Sequence, residues 1–335
     1  MEKYRTSPFN ITYYLGAGAS AEALPVVNTL PKNFRLLSKK IEKDADLEND
    51  NKNYRDKQIK SLINLADKAE QFGTIDTYAK YLHLKDRMSL LNLKETLSFY
   101  FLYEQLLNNC FDKRALIFLT TILQYDKIFP PNIKIITWNY DFQIQIAAKH
   151  FVKEEFENTR TGAKHLPPLI EYHPSLGHTS TSINEQCSLV HLNGIAGAYN
   201  TTAQNWSIND HIFRKSKPEN LNDLLTHIHE TRYANALMKF GWEEKVEDSL
   251  AVKHAKKIMA ETDILVVIGY TFPFFNREID KEVFSGFKAN SKHKKIYYQD
   301  KTKTGDFLKN QFELSADIQI KSTNDVYNYF IPLEL

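Results

Sequence analysis

The sequence predicts an α/β protein built on a Rossmann-like parallel sheet with flanking helices. Three observations carry that expectation. Short apolar runs bounded by turn residues alternate along the chain with longer stretches of helical period. Several runs are apolar throughout, such as Ile264-Leu265-Val266-Val267-Ile268, as parallel strands covered on both faces are. The first run, Ile11-Thr12-Tyr13-Tyr14-Leu15, passes straight into Gly16-Ala17-Gly18-Ala19-Ser20, a glycine turn between a strand and a helical turn.

Strands are expected at 11–15, 133–137, 188–192, 264–268 and 295–298, with a weaker one near 317–320. Helical periodicity covers 34–43, 56–71, 88–108, 112–126, 142–155, 219–240 and 246–260. Pro25 lies four residues after Ala21 and keeps the first helical turn short, because its ring clashes inside a continuing helix. Roughly 115 residues separate the first two strands and are nearly all helical, too many for one crossover. The expected organisation is therefore one domain, 1–335, with a helical insertion at about 32–128. Apolar stripes there, such as Leu97, Phe101 and Leu102, offer either surface for association or packing against the sheet. The segment from His173 through Ser182 to Cys187 is expected to be a polar loop.

Composition sets limits on function. The chain has 335 residues, 42% hydrophobic and 25% charged, enough for a sizeable core. A formal net charge of +2 gives no whole-chain field for nucleic acid. No run of 18 apolar residues suggests a membrane span, and Met1 to Arg5 shows no apolar signal region. The two isolated cysteines, Cys110 and Cys187, cannot build a four-cysteine zinc site, so no metal is expected. They also suit a reducing, cytoplasmic setting.

Ligands of open α/β sheets bind beyond the carboxyl ends of the strands, so those positions matter most. The glycine turn, Gly16-x-Gly18-x-x-Ala21, allows close backbone approach, and its N–H groups suit a pyrophosphate. The next strand ends in Thr137-Trp138-Asn139-Tyr140-Asp141. Another ends in His191-Leu192-Asn193-Gly194, and a fourth in Gly269-Tyr270-Thr271-Phe272, followed by Asn276 and Asp280. The last candidate end carries Gln299-Asp300. Each has an ordinary structural explanation: Asp141 can cap a helix, His191 can be a satisfied core histidine, and Gly269 can serve a turn. Four strand ends with compatible chemistry beside the glycine turn are harder to explain that way together.

Taken together these residues resemble the sirtuin-like family of NAD-consuming proteins. Gly16-Ala17-Gly18-Ala19-Ser20 resembles its phosphate-binding motif, Thr137-Trp138-Asn139-Tyr140-Asp141 its Thr-x-Asn-x-Asp motif, and Gly269-Tyr270-Thr271 its ribose-holding motif. The resemblance covers most of the chain apart from the insertion. Two departures stand out. The paired Cys-x-x-Cys zinc module is missing, which resembles the bacterial branch that hydrolyses NAD in anti-phage defence beside a sensor protein. The family's His-Gly pair is replaced by Asn193-Gly194, with His191 two residues earlier on the same expected strand face.

The resemblance implies an NAD glycohydrolase with NAD as substrate and no other cofactor. Asn139 would hold ribose and water, Asp141 would order the site or stabilise positive charge, and His191 would accept a proton. Asn193 occupies the usual histidine position. Gly16, Ala17, Gly18 and Ser20 would hold the pyrophosphate, with Thr137, Gly194, Gly269, Thr271 and Gln299 also lining the nucleotide. A homo-oligomer or a regulatory subunit is the expected partner. A non-catalytic nucleotide-binding subunit is the alternative. An oxidoreductase is disfavoured by Pro25 and by the lack of an acidic strand end about 20 residues beyond the glycine turn.

Overall fold

In a computed structural model of the chain the described residues are 7–44, 47, 49–123, 129–151, 170–174, 183, 185–199, 218–231, 235–289 and 294–335. Strand β1 (Ile11–Leu15) is wholly buried, and a four-residue 3-10 turn, Ala17–Ser20, follows it. Four helices come next: α1 (Leu30–Glu42), α2 (Asn49–Phe72), α3 (Ile75–Lys85) and α4 (Arg87–Leu102). Helix α4 continues as one π-helical turn, Tyr103–Leu107. Then come α5 (Lys113–Ile122), β2 (Ile133–Thr137) and α6 (Gln143–Lys149). Strands β3 (Tyr172–His173), β4 (Leu189–His191) and β5 (Gly194–Tyr199) precede α7 (Leu221–Thr231) and β6 (Asn235–Met238). The chain finishes with α8 (Leu250–Glu261), β7 (Ile264–Ile268), α9 (Arg277–Lys288), β8 (Lys295–Gln299), α10 (Phe307–Gln311) and β9 (Gln319–Thr323).

Seven strands form one parallel sheet in the order β3-β4-β2-β1-β7-β8-β9. The α/β, Rossmann-like expectation is met. Side chains alternate across the sheet. Tyr14, Ile136, Leu265 and Val267 face one layer with α8 and α9. Ile11, Tyr13, Leu15, Ile133 and Val266 face the other, with Phe118 and Leu119 of α5 and Ala147 of α6. Each such aliphatic side chain contributes about 1.5–3 kcal/mol on burial, which is why the central strands are apolar on both faces.

A third core belongs to a second layer. Phe34, Leu62, Tyr78, Leu97, Tyr100, Phe101 and Leu102 from α1–α4 pack with Ile195 and Ala196 of β5, Leu224 of α7 and Met238 of β6. The insertion is therefore completed by the antiparallel β5–β6 pair and the α7 between them, which lie far along the sequence. Leu97, Phe101 and Leu102 are buried in this core and give no surface for association. Among the described residues the exposed apolar side chains of the layer include Leu36, Ile63, Tyr81, Leu84, Met88 and Leu91.

Several local expectations shift. The helix expected over 219–240 stops at Thr231, and β6 takes residues 235–238, antiparallel to β5. Helix α5 belongs to the sheet rather than to the insertion, since Phe118 packs edge-on to Tyr13 at 4.7 Å. The expected 142–155 helix is α6 through Lys149, with residues 152–155 outside the described residues. Most of the expected polar loop, 175–182, lies outside them too. No helix among the described residues is long and apolar enough to cross a membrane.

Candidate functional site

The chain leaves β1 toward β2 on one side and returns to β7 on the other, so the crevice of the topology opens beyond β1 and β7. The glycine turn sits there. Gly16 N donates to the Ile268 carbonyl at 3.0 Å, and Gly18 N to the Gly269 carbonyl at 3.0 Å. A Cβ on Gly18 would lie 2.6 Å from Gly269 Cα, and one on Gly269 2.4 Å from Gly18 Cα. Gly269 also needs φ +58°. These glycines let the β1 and β7 loops touch each other. That corrects the expectation that both Gly16 and Gly18 offer free N–H groups to an anion. Ala17 is exposed and Gly18 half-buried, so the turn's outer rim still faces outward.

The carbonyl side of the turn is backed by a residue that sequence reasoning missed. Arg114, buried on α5, donates from Nη2 to the Gly18 and Ala19 carbonyls, each at 3.2 Å. Asp112, fully buried, accepts from Arg114 Nε at 2.9 Å and Nη2 at 2.5 Å. Tyr329 donates its hydroxyl to the Ala19 carbonyl at 2.7 Å. No motif marks these residues. A lone Asp-x-Arg before a helical run was the sole signal, and Asp112 also caps α5 through Arg114 N at 3.0 Å.

Asn139 follows β2 and reaches across to the same turn. Its Nδ2 donates to the Gly16 carbonyl at 2.9 Å and to Ser20 Oγ at 3.1 Å, and its own N–H bonds Thr137 Oγ1 at 3.1 Å. Thr137 is thus a brace for Asn139, and Ser20 a bridge between two strand-end loops. Asp141 caps α6 through Gln143 N at 3.2 Å. Burial raises the Asp141 carboxyl to about 6, while the Ser20 hydroxyl and the Gln143 N–H pull it the other way. The π-helical turn after α4 delivers Gln105 to this loop: its Oε1 accepts from Phe142 N at 2.8 Å and from Gln143 Nε2 at 3.1 Å.

His191 is buried and both ring nitrogens are engaged. Nδ1 meets the Asn139 carbonyl at 2.9 Å, and Nε2 meets the Gln145 amide at 2.8 Å. A carbonyl can only accept, so Nδ1 carries the proton and Nε2 accepts from Gln145. Burial holds the imidazole down at about 4. It is neutral near pH 7 with no ring nitrogen free for water. The structure places it as a brace under Asn139, not as the exposed proton acceptor the sequence suggested. Asn193 is also buried. Its Nδ2 donates to Tyr140 Oη at 3.3 Å, while its Oδ1 has no partner among the described residues. Gly194 takes φ +68° and opens β5, away from the glycine turn's hydrogen bonds.

The remaining candidates divide. Thr271 is exposed beside Tyr270, on the rim. Tyr270 turns inward, donating to Asp280 Oδ2 at 2.9 Å, and Tyr14 donates to Asp280 Oδ1 at 2.6 Å. Trp138 Nε1 adds a third donor at 3.1 Å. Asp280 therefore ties the ends of β1, β2 and β7 together from beneath. Gln299 is spent elsewhere: Nε2 donates to the Asp325 and Asn328 carbonyls, at 2.5 and 2.6 Å, and Oε1 accepts from Phe330 N at 3.0 Å. Its side chain anchors the segment carrying Tyr329 and is not available to a nucleotide.

The geometry brings together the glycine turn, Ser20, Thr137, Asn139, Asp141, His191 and Gly269, and leaves Gln299 out. No family model and no curated protein matches this sequence.

Proposed function

We propose that this chain cleaves NAD to nicotinamide and ADP-ribose. The observation that carries the reading is Asn139, whose amide joins the Gly16 carbonyl and Ser20 hydroxyl at the switch point of the sheet. That fixes the amide plane. Both N–H donors face the turn, and the half-buried residue leaves its Oδ1 to accept from a ribose hydroxyl or a water. In the reaction the bond from ribose C1′ to the nicotinamide nitrogen breaks and the ring leaves as a neutral molecule. Water adds its oxygen to C1′ and gives up a proton. No acid is required at the leaving group, so the protein's contribution is orientation and charge. Asp141, which shares the Ser20 hydroxyl and whose carboxyl burial raises to about 6, is the group we assign to receive that proton. His191 and Thr137 position Asn139.

Self-assembly and a sensor subunit in anti-phage defence follow from the sirtuin-like resemblance, whereas a zinc-free chain and a cytoplasmic location rest on the two isolated cysteines. A second reading, a nucleotide-binding subunit without turnover, is favoured by one specific observation: neither ring nitrogen of His191 is free. Incubation with NAD separates the two. Free nicotinamide that disappears in Asn139→Ala, with unchanged melting, supports the hydrolase. Binding of NAD without nicotinamide release supports the subunit, and NADH formation overturns both.

A further inference from the structure

The glycine turn is gripped from behind by a segment close to the carboxyl end of the chain. Gln299, at the end of β8, uses both ends of its amide to fix residues 325–330. Phe330 stacks on Tyr297 of the same strand at 4.6 Å. The Val326 carbonyl accepts from Arg114 Nη1 at 3.1 Å. Tyr329 is thereby seated between the strap and α5, its ring 5.6 Å from Phe118 and only 4% exposed. Its hydroxyl donates to the Ala19 carbonyl at 2.7 Å.

Two side chains reach that carbonyl, and they hold it unequally. Arg114 Nη2 has two hydrogens and faces three acceptors, the Gly18 and Ala19 carbonyls at 3.2 Å each and Asp112 Oδ2 at 2.5 Å. The acidic partner is the shortest and charged on both sides, so it takes the larger share. Tyr329 has one hydroxyl hydrogen, and it goes to Ala19. The oxygen it grips belongs to the peptide unit that leads into Ser20. A peptide unit is planar, so fixing its oxygen fixes the plane from which Ser20 departs. Ser20 is buried, and its Oγ accepts from Asn139 Nδ2 at 3.1 Å. The same hydroxyl favours the charged form of Asp141. One peptide unit therefore separates the Tyr329 hydroxyl from the side chain that bridges both groups assigned to NAD cleavage.

From this geometry we infer that Tyr329 is a positioning residue for the cleavage site, acting through the Ala19–Ser20 peptide on Ser20 and so on Asn139. The inference rests on the NAD reading above. Tyr329 lies behind the turn and meets no substrate; its part is to keep Ser20 where Asn139 needs it.

The test is a double-mutant cycle on the full chain, read as kcat and KM for nicotinamide release. Tyr329→Phe keeps the ring and removes the hydroxyl. It should lower kcat about tenfold with KM nearly unchanged, since small misplacements of an orienting group are costly. Ser20→Ala should lower kcat as well, and the double variant should be no slower than Ser20→Ala alone, because the hydroxyl acts through Ser20. A tyrosine with a merely structural role would weaken melting and leave kcat of the folded protein unmoved. Replacing Tyr329 with para-aminophenylalanine restores a weaker donor and should give an intermediate kcat. That variant takes the place of Tyr329→Phe in the cycle if Phe disturbs the fold. Wild-type kcat in a folded variant without the hydroxyl overturns the inference and leaves the NAD reading standing. So does a double variant that loses the full factor again on top of Ser20→Ala. A wild type that releases no nicotinamide overturns both.

Discussion

The two halves of the sheet's carboxyl edge settle their polar groups differently. Around β1 and β7, loop is bonded to loop: Gly16 and Gly18 to the β7 end, Arg114 and Tyr329 to the turn's carbonyls, and Asp280 to three aromatic donors. Around β2 and β4, next to the helical layer, Asn193 Oδ1 and Gln145 Oε1 have no partner among the described residues. An unsatisfied buried polar atom costs about 1–3 kcal/mol. The first half behaves as a frame, complete in itself. The second keeps two buried acceptors to which nothing among the described residues donates.

The comparison can be broken most severely at Arg114. Arg114→Met strips the partner from fully buried Asp112, and stability should fall by about 3–5 kcal/mol in urea unfolding. A loss below about 1 kcal/mol would show that the frame does not depend on this pair. Gly269→Ala comes next. Its Cβ would press on Gly18 Cα in a φ +58° residue, and a loss of about 1–3 kcal/mol is expected. If the variant melts with wild type, the loops are looser than their contact suggests.

On the other half, His191 sharpens the contrast. His191→Asn keeps a donor for the Asn139 carbonyl, whereas His191→Ala does not, so Asn should retain NAD cleavage better than Ala. The two should also differ by about 1 kcal/mol in stability. The wild-type pH–rate profile should lack a step from this histidine near 6–7, because burial places it at about 4. Equal activities in both variants would remove His191 as a positioning residue. The smallest effect is at Asp280, raised by burial to about 7 from 3.8. The fold favours its protonated form, so its contribution is fully present below about 4 and is lost as pH rises through about 7. Wild type should therefore gain on Asp280→Asn in thermal melts taken from about pH 8 down to about pH 5. A gap that does not change with pH would mean that Asp280 is already charged in the fold.

Much of the frame was legible in the sequence. Continuous apolar runs such as 264–268 read as doubly covered strands, as the sheet has them, and the strand ends gave Asn139 and the glycine turn directly. Three things were not legible. The role of Gly18 depends on Gly269, 251 residues away, so a local motif could not say whether its bare Cα faced a ligand or another loop. Residues 219–240 carry helical spacing to the end, yet Asn235–Met238 pairs with β5, and tertiary pairing overrides periodicity. Arg114 and Gln299 look like ordinary surface types, and only the contacts made by the folded chain show them buried and bonded to backbone carbonyls.

The reach of Tyr329 to Ala19 spans 310 residues. On the ribosome the glycine turn emerges well before Tyr329, one of the groups that hold its carbonyls. At translation speeds of about 5–20 residues per second, the turn waits roughly 15–60 s for Val326 to meet Arg114 and for Tyr329 to meet Ala19. Throughout that interval a nascent chain owns the signature residues of its site without the structure that aims them. The order of synthesis thus leaves the turn only partly held until Tyr329 has emerged.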